Sequence, residues 1–247
     1  MKVLVSGLYG FMGREVVKLA ENGYCGAEVV AGVDNNITGK LDIPCAESFA
    51  TADKNVNCII DFSHHSLTND LLAFAVENKI PAVIATTGQT DEEKEAIKKA
   101  AESIPIFFAA NYSLGIALLI KLAKEAAAVM KDAEIEIIEK HHDRKVDAPS
   151  GTALAIAEGI RSVRPELTNK LGRAGMGKRT PNEIGIHAIR MGNIAGEHEV
   201  LIGTQNQTIT LKHETHNRAL FAEGALNAAQ FLIGQKSGLY TMTDLLK

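Results

Sequence analysis

Through the first half of the chain, short β-branched and aliphatic runs alternate with amphipathic stretches. The runs at Lys2–Ser6, Glu28–Asp34, Cys58–Ser63, Ala82–Ala85 and Ile106–Ala109 predict strands, and Met12–Asn22, Ser66–Asn78 and Asp91–Ser103 predict the helices between them. Thr90-Asp91-Glu92-Glu93 reads as a capping box, with Thr90 as N-cap and Glu93 three residues on. Strands spaced by helices of this length predict right-handed crossovers in a parallel sheet. The expected first domain, residues 1–112, is therefore a Rossmann-like, doubly wound α/β unit.

The rhythm changes after Tyr112. A long apolar helix is predicted at Leu114–Met130, then an alternating charged strand at Glu134–Glu139, the segment His141–Thr152 and a helix from about Thr152 to Val163. A Gly-, Arg- and Lys-rich stretch, Arg164–Asn182, reads as a long loop, and such loops are usually functional or mobile. Strands follow at Ile184–Met191, His198–Ile202 and Gln207–Lys212 without helices between them, which predicts a mixed or antiparallel sheet. Residues 113–216 are thus expected to form an α+β domain that binds substrate, with the amphipathic helix Arg218–Gly234, within 217–247, packing back on the first. No internal repeat or low-complexity segment interrupts this plan.

Composition narrows the function classes. At 247 residues, 46% hydrophobic and 23% charged, the chain has the make-up of a soluble globular enzyme. A net charge of −4 gives no electrostatic reason to expect nucleic acid or an anionic membrane as partner. Trp is absent, so no stacking platform for single strands is evident. Met1-Lys2 runs directly into Val3-Leu4-Val5, and no apolar run approaches the roughly 20 residues of a membrane span, so a cytoplasmic location is expected. The three cysteines, Cys25, Cys45 and Cys58, are odd in number and lack Cys-x-x-Cys spacing. Reduced packing residues fit them better than a disulfide framework or a zinc ribbon.

The first strand runs into Gly7-Leu8-Tyr9-Gly10-Phe11-Met12-Gly13. Glycines at a strand-to-helix turn let the backbone approach a pyrophosphate, and the helix start offers N–H groups and a positive dipole end. The spacing is Gly-x-x-Gly-x-x-Gly, a weak signal alone, but Asp34 closes the next strand where a carboxylate can accept from an adenosine ribose diol. Asn35-Asn36 follow instead of the Arg that commonly receives a 2′-phosphate, so NADH is expected to bind better than NADPH, with Lys40 keeping NADPH possible. Ala85-Thr86-Thr87-Gly88 and Ala109-Ala110-Asn111-Tyr112 follow the fourth and fifth strands, at the carboxyl ends where such sheets bind ligands.

The densest chemistry is Glu139-Lys140-His141-His142-Asp143-Arg144-Lys145-Val146-Asp147-Ala148-Pro149-Ser150-Gly151-Thr152-Ala153. His141 titrates near neutrality and Lys145 is a durable cation. Ser150, Gly151 and Thr152 set hydroxyls and N–H groups at a helix start, a receptor for carboxylates. The combination suits a small dianionic substrate that is protonated as it is reduced. The histidine pair could also be a plain surface loop, and Ser150 only an N-cap. Metal binding is less favoured, because adjacent histidines converge poorly and no third ligand joins them. His187, His198, His213 and His216 read as hydrogen-bonded structure.

These motifs resemble the 4-hydroxy-tetrahydrodipicolinate reductases, formerly dihydrodipicolinate reductases, over essentially the whole chain. The resemblance continues through Ile184-Gly185-Ile186-His187, Arg190, Gly196-Glu197-His198-Glu199 and Phe221-Ala222-x-Gly224-Ala225. It implies His141 as proton donor and acceptor, Lys145 as second proton donor, and His142, Ser150, Gly151 and Thr152 as substrate contacts. It also implies a homotetramer built on the second domain's sheets. Asp143 and Asn35 depart from basic residues found in some members, which bears on pocket charge and on cofactor preference. Another dehydrogenase class, a non-catalytic redox sensor and a metal hydrolase using the histidine pair are the competing readings.

Overall fold

Val3, Leu4 and Val5 are buried on both faces of their strand, which is what a continuous apolar run demands of its neighbours in a parallel sheet. The structure is a computed structural model that describes residues 1–39 and 41–247. It divides into two units, Met1–Ser113 with Ala219–Lys247, and Leu114–Arg218.

In the first unit β1 (Lys2–Ser6) leads to α1 (Phe11–Glu21), β2 (Glu28–Val33), β3 (Cys45–Ala46), β4 (Cys58–Asp61), α2 (Thr68–Asn78), β5 (Ala82–Ile84), α3 (Asp91–Ala101) and β6 (Pro105–Phe108). The second unit holds α4 (Leu114–Val129), β7 (Glu134–His141), α5 (Gly151–Arg161), β8 (Thr168–Leu171), β9 (Glu183–Arg190), β10 (Glu197–Gly203) and β11 (Thr208–Glu214). The chain then returns to the first unit as α6 (Ala219–Leu232) and β12 (Gly238–Tyr240). Among the described residues the first sheet has the order β12-β6-β5-β4-β1-β2-β3, and every pairing in it is parallel. The order reverses beside β1, so the turn after β1 lies at the switch point where open α/β sheets bind ligands. The Thr90 capping box forms as expected: Thr90 Oγ accepts from the Glu93 N–H, and Glu93 accepts from the Thr90 N–H.

The second sheet has the order β11-β10-β7-β9-β8. Strand β7 is parallel to β9 and antiparallel to β10, so the sheet is mixed. Alternation along β7 buries Ile135, Ile137, Glu139 and His141 and leaves Glu136, Ile138 and Lys140 partly exposed. The first two pack with Ile184, Ile186, Val200 and Ile202 against the apolar stripes of α4 and α5. Period 2 then carries the same inward stripe into a carboxylate and an imidazole. That is where apolar packing gives way to chemistry.

The structure departs from expectation at β8 and at two short strands. The stretch Arg164–Asn182 is not one loop: β8 runs through it as a fully exposed edge strand parallel to β9. An edge strand with neither face buried carries no hydrophobic alternation to read. The helix expected from about Thr152 is present, beginning at Gly151 with Ser150 as N-cap. Strands β3 and β12, two and three residues long, were not predicted, being too short for any periodicity. No helix among the described residues is long and apolar enough to cross a membrane.

Candidate active site

The glycine turn of the first unit is held by its own backbone. Gly7 takes a left-handed φ of 78° and donates its N–H to Val33 O at 2.8 Å. Gly10 is the N-cap of α1. A Cβ on Gly13 would lie 2.2 Å from Gly7 O, so α1 can sit this close to the turn only because that position has no side chain. Asp34 clamps the turn from β2: its Oδ2 accepts the Tyr9 N–H at 2.8 Å and its Oδ1 the Asn36 N–H at 2.9 Å. A cavity of about 450 Å³ opens here, lined by Gly7, Tyr9, Gly10, Asp34, Asn35, Asn36 and Thr38 on one side and by Phe62, Ser63, His64 and Ser66 on the other. A cavity beside a helix start, with a carboxylate at the strand end, fits the adenosine and pyrophosphate of a dinucleotide.

The other expected cofactor residues divide. Leu8 is fully buried beneath Gly32, so only its backbone belongs to the turn, whereas Phe11 is more than half exposed. Ala85 continues the sheet, donating its N–H to Asp61 O at 2.9 Å, and Thr87 is exposed beyond the buried Thr86. Tyr112 is buried, with its hydroxyl 2.9 Å from Ile84 O and 3.1 Å from Phe107 O, which ties the ends of β5 and β6 together. Ala109, Ala110 and Asn111 follow β6, where the Asn111 side chain accepts from the Ser113 N–H. None of these lines the 450 Å³ cavity. Lys40 lies outside the described residues.

In the second unit, the end of β7 meets the start of α5. Glu139 has no exposed surface and all its acceptor positions are engaged. Its Oε2 accepts from His141 Nδ1 at 2.6 Å and Arg190 Nη1 at 2.8 Å, and its Oε1 from Arg190 Nη2 at 2.7 Å and the Ser150 N–H at 2.9 Å. Ser150 Oγ accepts the Ala153 N–H at 3.2 Å and lies 3.1 Å from His198 Nε2. The His198 ring stands edge-on to His141 with centroids 5.2 Å apart. Lys145 pairs with Asp147 at 2.7 Å. The Asp147 carboxyl is held below its usual range first by Lys145, with the Gly151 N–H contributing. One carboxylate of the chain itself therefore already sits on the ammonium and the helix start.

Burial lowers the basicity of His141; Glu139 opposes this, Lys145 and Arg190 add to it, and the net shift is downward. Burial raises the Glu139 carboxyl, but Arg190, His141 and the Ser150 N–H outweigh it and keep the group ionised. His198 is pushed down to about 4, first by burial and then by the charge of His141. Its folded value lies below its unfolded value of about 6.5, so its stabilising effect is whole above that pH and is lost as pH falls toward 4. The loss should reach about 3 kcal/mol for this nearly fully buried ring. Urea unfolding at pH 7 and pH 5 should register about 2 kcal/mol of that loss, and His198→Gln should flatten the difference. An equal pH dependence in that variant would refute the assignment.

Sequence reasoning singled out His141, Lys145 and Ser150–Thr152 as candidates but did not connect them to the residues that hydrogen-bond around them. Glu139 stands two residues before His141, the spacing that puts both on one face of a strand. Arg190 is paired with His141 across β7 and β9, and His198 with Glu139 across β7 and β10, registers no local pattern reveals. On the cofactor side Ser63, His64 and Ser66 follow β4, beside β1, and that position in the sheet was the available signal. His142 is partly buried, with its Nδ1 unpartnered among the described residues. No group of three or more His, Cys, Asp or Glu residues among the described residues could hold a metal ion.

Two family models match. The N-terminal part of dihydrodipicolinate reductase matches residues 1–112 and the C-terminal part matches 115–246, the latter extending over α6 and β12 of the first unit. The 4-hydroxy-tetrahydrodipicolinate reductase of Caldanaerobacter subterraneus subsp. tengcongensis is 49% identical, with 100% of this chain and 98% of that one covered. The enzyme of the same name from Clostridium novyi is 41% identical, over 100% of this chain and 98% of its own. Among solved structures, the dipicolinate-bound dihydrodipicolinate reductase from Paenisporosarcina sp. TG-14 superposes with a TM-score of 0.80 at 27% identity, covering 98% of this chain and 97% of that one.

Proposed function

This chain belongs to the dihydrodipicolinate reductase family, oxidoreductases that reduce 4-hydroxy-tetrahydrodipicolinate to tetrahydrodipicolinate in lysine and diaminopimelate biosynthesis, and on that footing we propose that His141 and Lys145 carry its proton transfers and that NADH is its preferred reductant. The observation that carries the residue assignment is the Lys145–Asp147 pair at the start of α5. Donors that hold an internal carboxylate can hold one from a small dicarboxylate substrate. Gly151 and Thr152 are the first residues of α5, where the helix dipole favours an anion. Ser150 fixes that helix start from within: its N–H is donated to Glu139, and its hydroxyl oxygen accepts the Ala153 N–H and lies in hydrogen-bond reach of His198. His142 flanks the same segment.

A nicotinamide dinucleotide is the reductant, and bound in its reduced form it supplies the hydride. Loss of water from the substrate would give a conjugated imine, and its reduction would leave negative charge toward the ring nitrogen for a proton to neutralise. His141, anchored through Nδ1, presents Nε2 to take up or deliver a proton, and Lys145 steadies a carboxylate and serves as the second donor. A positioned acid contributes about 10²- to 10⁴-fold. On the first unit, the Gly7–Gly13 turn and the start of α1 receive the pyrophosphate, with Leu8, Phe11 and Met12 contributing through the backbone around Tyr9 and Gly10. Ala85, Thr86, Thr87 and Ala109–Tyr112 stand at the sheet's carboxyl edge for the nicotinamide half.

The preference for NADH rests on Asp34, whose carboxylate faces the cavity between Asn35 and the turn. It can accept from a ribose diol and repels a 2′-phosphate. Substrate generated from pyruvate and aspartate semialdehyde by the preceding synthase, with oxidation of NADH and NADPH followed separately, tests both readings. Oxidation of NADH with the lower Michaelis constant is expected. An equal or lower constant for NADPH removes the preference, and no oxidation of either leaves only a dinucleotide-binding module.

A homotetramer in the cytoplasm completes the reading. Ile138 and Leu201 on the second sheet are partly exposed and Ile189 is exposed, an apolar patch suited to burial between copies. The three cysteines are free, and burial pushes the Cys58 thiol up to about 12, which suits a reducing compartment. Sedimentation equilibrium at one chain mass rather than four would contradict the assembly.

A further inference from the structure

We propose that Glu139 is a positioning residue that fixes the tautomer of His141 and ties that imidazole to the substrate-binding helix start through one shared carboxylate. This rests on the assignment of proton transfer to His141. An ionised carboxylate only accepts hydrogen bonds, so the 2.6 Å contact requires the proton to be on His141 Nδ1. Nε2 then carries the lone pair in the neutral ring and the transferable proton in the charged one. Space beside Nε2 is kept by Gly196, where a Cβ would come within 3.1 Å of that nitrogen. The second oxygen of Glu139 accepts the N–H of Ser150, the N-cap of α5. Arg190 bridges both oxygens and also donates to Asp147 O at 2.7 Å. A purely structural role, neutralising Arg190 in the interior, would need neither the contact to His141 nor the one to Ser150.

The isosteric change Glu139→Gln separates the two roles. A glutamine oxygen turned to His141 would set its NH2 against two donors, the Ser150 N–H and Arg190 Nη2. Turned the other way, the NH2 meets one competing donor, Arg190 Nη1, and faces His141 Nδ1 as a donor. The second orientation is favoured, and it drives the imidazole proton to Nε2. Nitrogen-15 spectra of histidine-labelled protein should show His141 as the Nδ1–H tautomer near neutral pH in the wild type and as Nε2–H in the variant. The variant should lose at least about 10²-fold in kcat, with little change in dinucleotide binding. Its pH profile should shift to lower pH, because the imidazolium loses its carboxylate while burial, Lys145 and Arg190 still oppose its charge. A wild-type spectrum with the proton on Nε2 overturns the inference even if Glu139→Gln fails to fold. A folded Glu139→Gln enzyme with unchanged kcat and pH profile overturns it as well. His141→Ala locates the failure: full activity in that variant removes the underlying reading, whereas an inactive His141→Ala beside a fully active Glu139→Gln removes only this inference.

Discussion

Replacing His141 with alanine should lower turnover by about 10²- to 10⁴-fold and leave dinucleotide affinity unchanged. The imidazole closes the inward stripe of β7 in the second unit, whereas the glycine turn belongs to the first. Glu139 keeps Arg190 and the Ser150 N–H as partners, so the buried carboxylate is not stranded when the ring is removed. Lys145→Ala should lower kcat within the same range and also raise KM, because the ammonium that holds Asp147 would hold a substrate carboxylate. The double variant should lose less than the product of the two single losses, as expected of groups acting together in one step. Trp is absent from the chain, so NADH fluorescence gives the binding constant without tryptophan interference, and the synthase-coupled assay gives kcat and KM. Full turnover in either single variant would take that residue out of the mechanism.

The sequence made the candidate segment of the second unit visible because its residues are local: His141, Lys145 and Ser150–Thr152 fall within a dozen positions. The same holds for the glycine turn, where strand, glycines and helix are contiguous. Residues that make these groups competent come from elsewhere. Arg190 reaches Glu139 from β9, and His198 reaches Ser150 from β10. Both depend on the order of strands in a mixed sheet, set by long-range pairing that no local window contains. Glu139 was nearer to being legible: β7 reads Glu134-Ile135-Glu136-Ile137-Ile138-Glu139, and strict alternation from Ile135 and Ile137 puts Glu139 inside. A charged residue predicted to face a core is either paired or misassigned, and here it has three partners. Failures on the fold have related causes. Strand β8 is exposed on both faces, and β3 and β12 are too short, so burial left no periodic imprint on any of them.

This placement also bears on why the site occupies the edge of a hydrophobic core. Ile135 and Ile137 are fully buried, and the next inward positions are Glu139 and His141. Their strand is held on both sides by paired neighbours, so the backbone carrying the two groups has little freedom to shift. A low-dielectric wall strengthens the Glu139–His141 and Glu139–Arg190 contacts and makes an unpaired charge costly there. The complete hydrogen bonding of Glu139 follows from that cost.

Gly13→Ala should weaken dinucleotide binding by about 10²-fold and lower thermal stability in the same protein. The added methyl would lie 2.2 Å from Gly7 O, 2.7 Å from Leu8 O and 2.9 Å from Leu8 C. All three are backbone atoms of the turn, so no side-chain rotation relieves the contact. Leu8 is itself fully buried and packed over Gly32, which prevents the turn from retreating into the sheet. Either α1 moves outward or the turn distorts, and each takes the N–H groups of the helix start away from the pyrophosphate. Overpacking of this kind costs about 1–3 kcal/mol and occasionally more, and a 2.2 Å approach to backbone belongs at the upper end. Gly177→Ala is the matched control, because a Cβ there meets nothing within 4 Å and the residue has no left-handed φ. It should leave both affinity and melting temperature unchanged. NADH binding in Gly13→Ala equal to that of the control would mean that the dinucleotide does not lie on this turn, and the assignment of the first unit's cavity would fall with it.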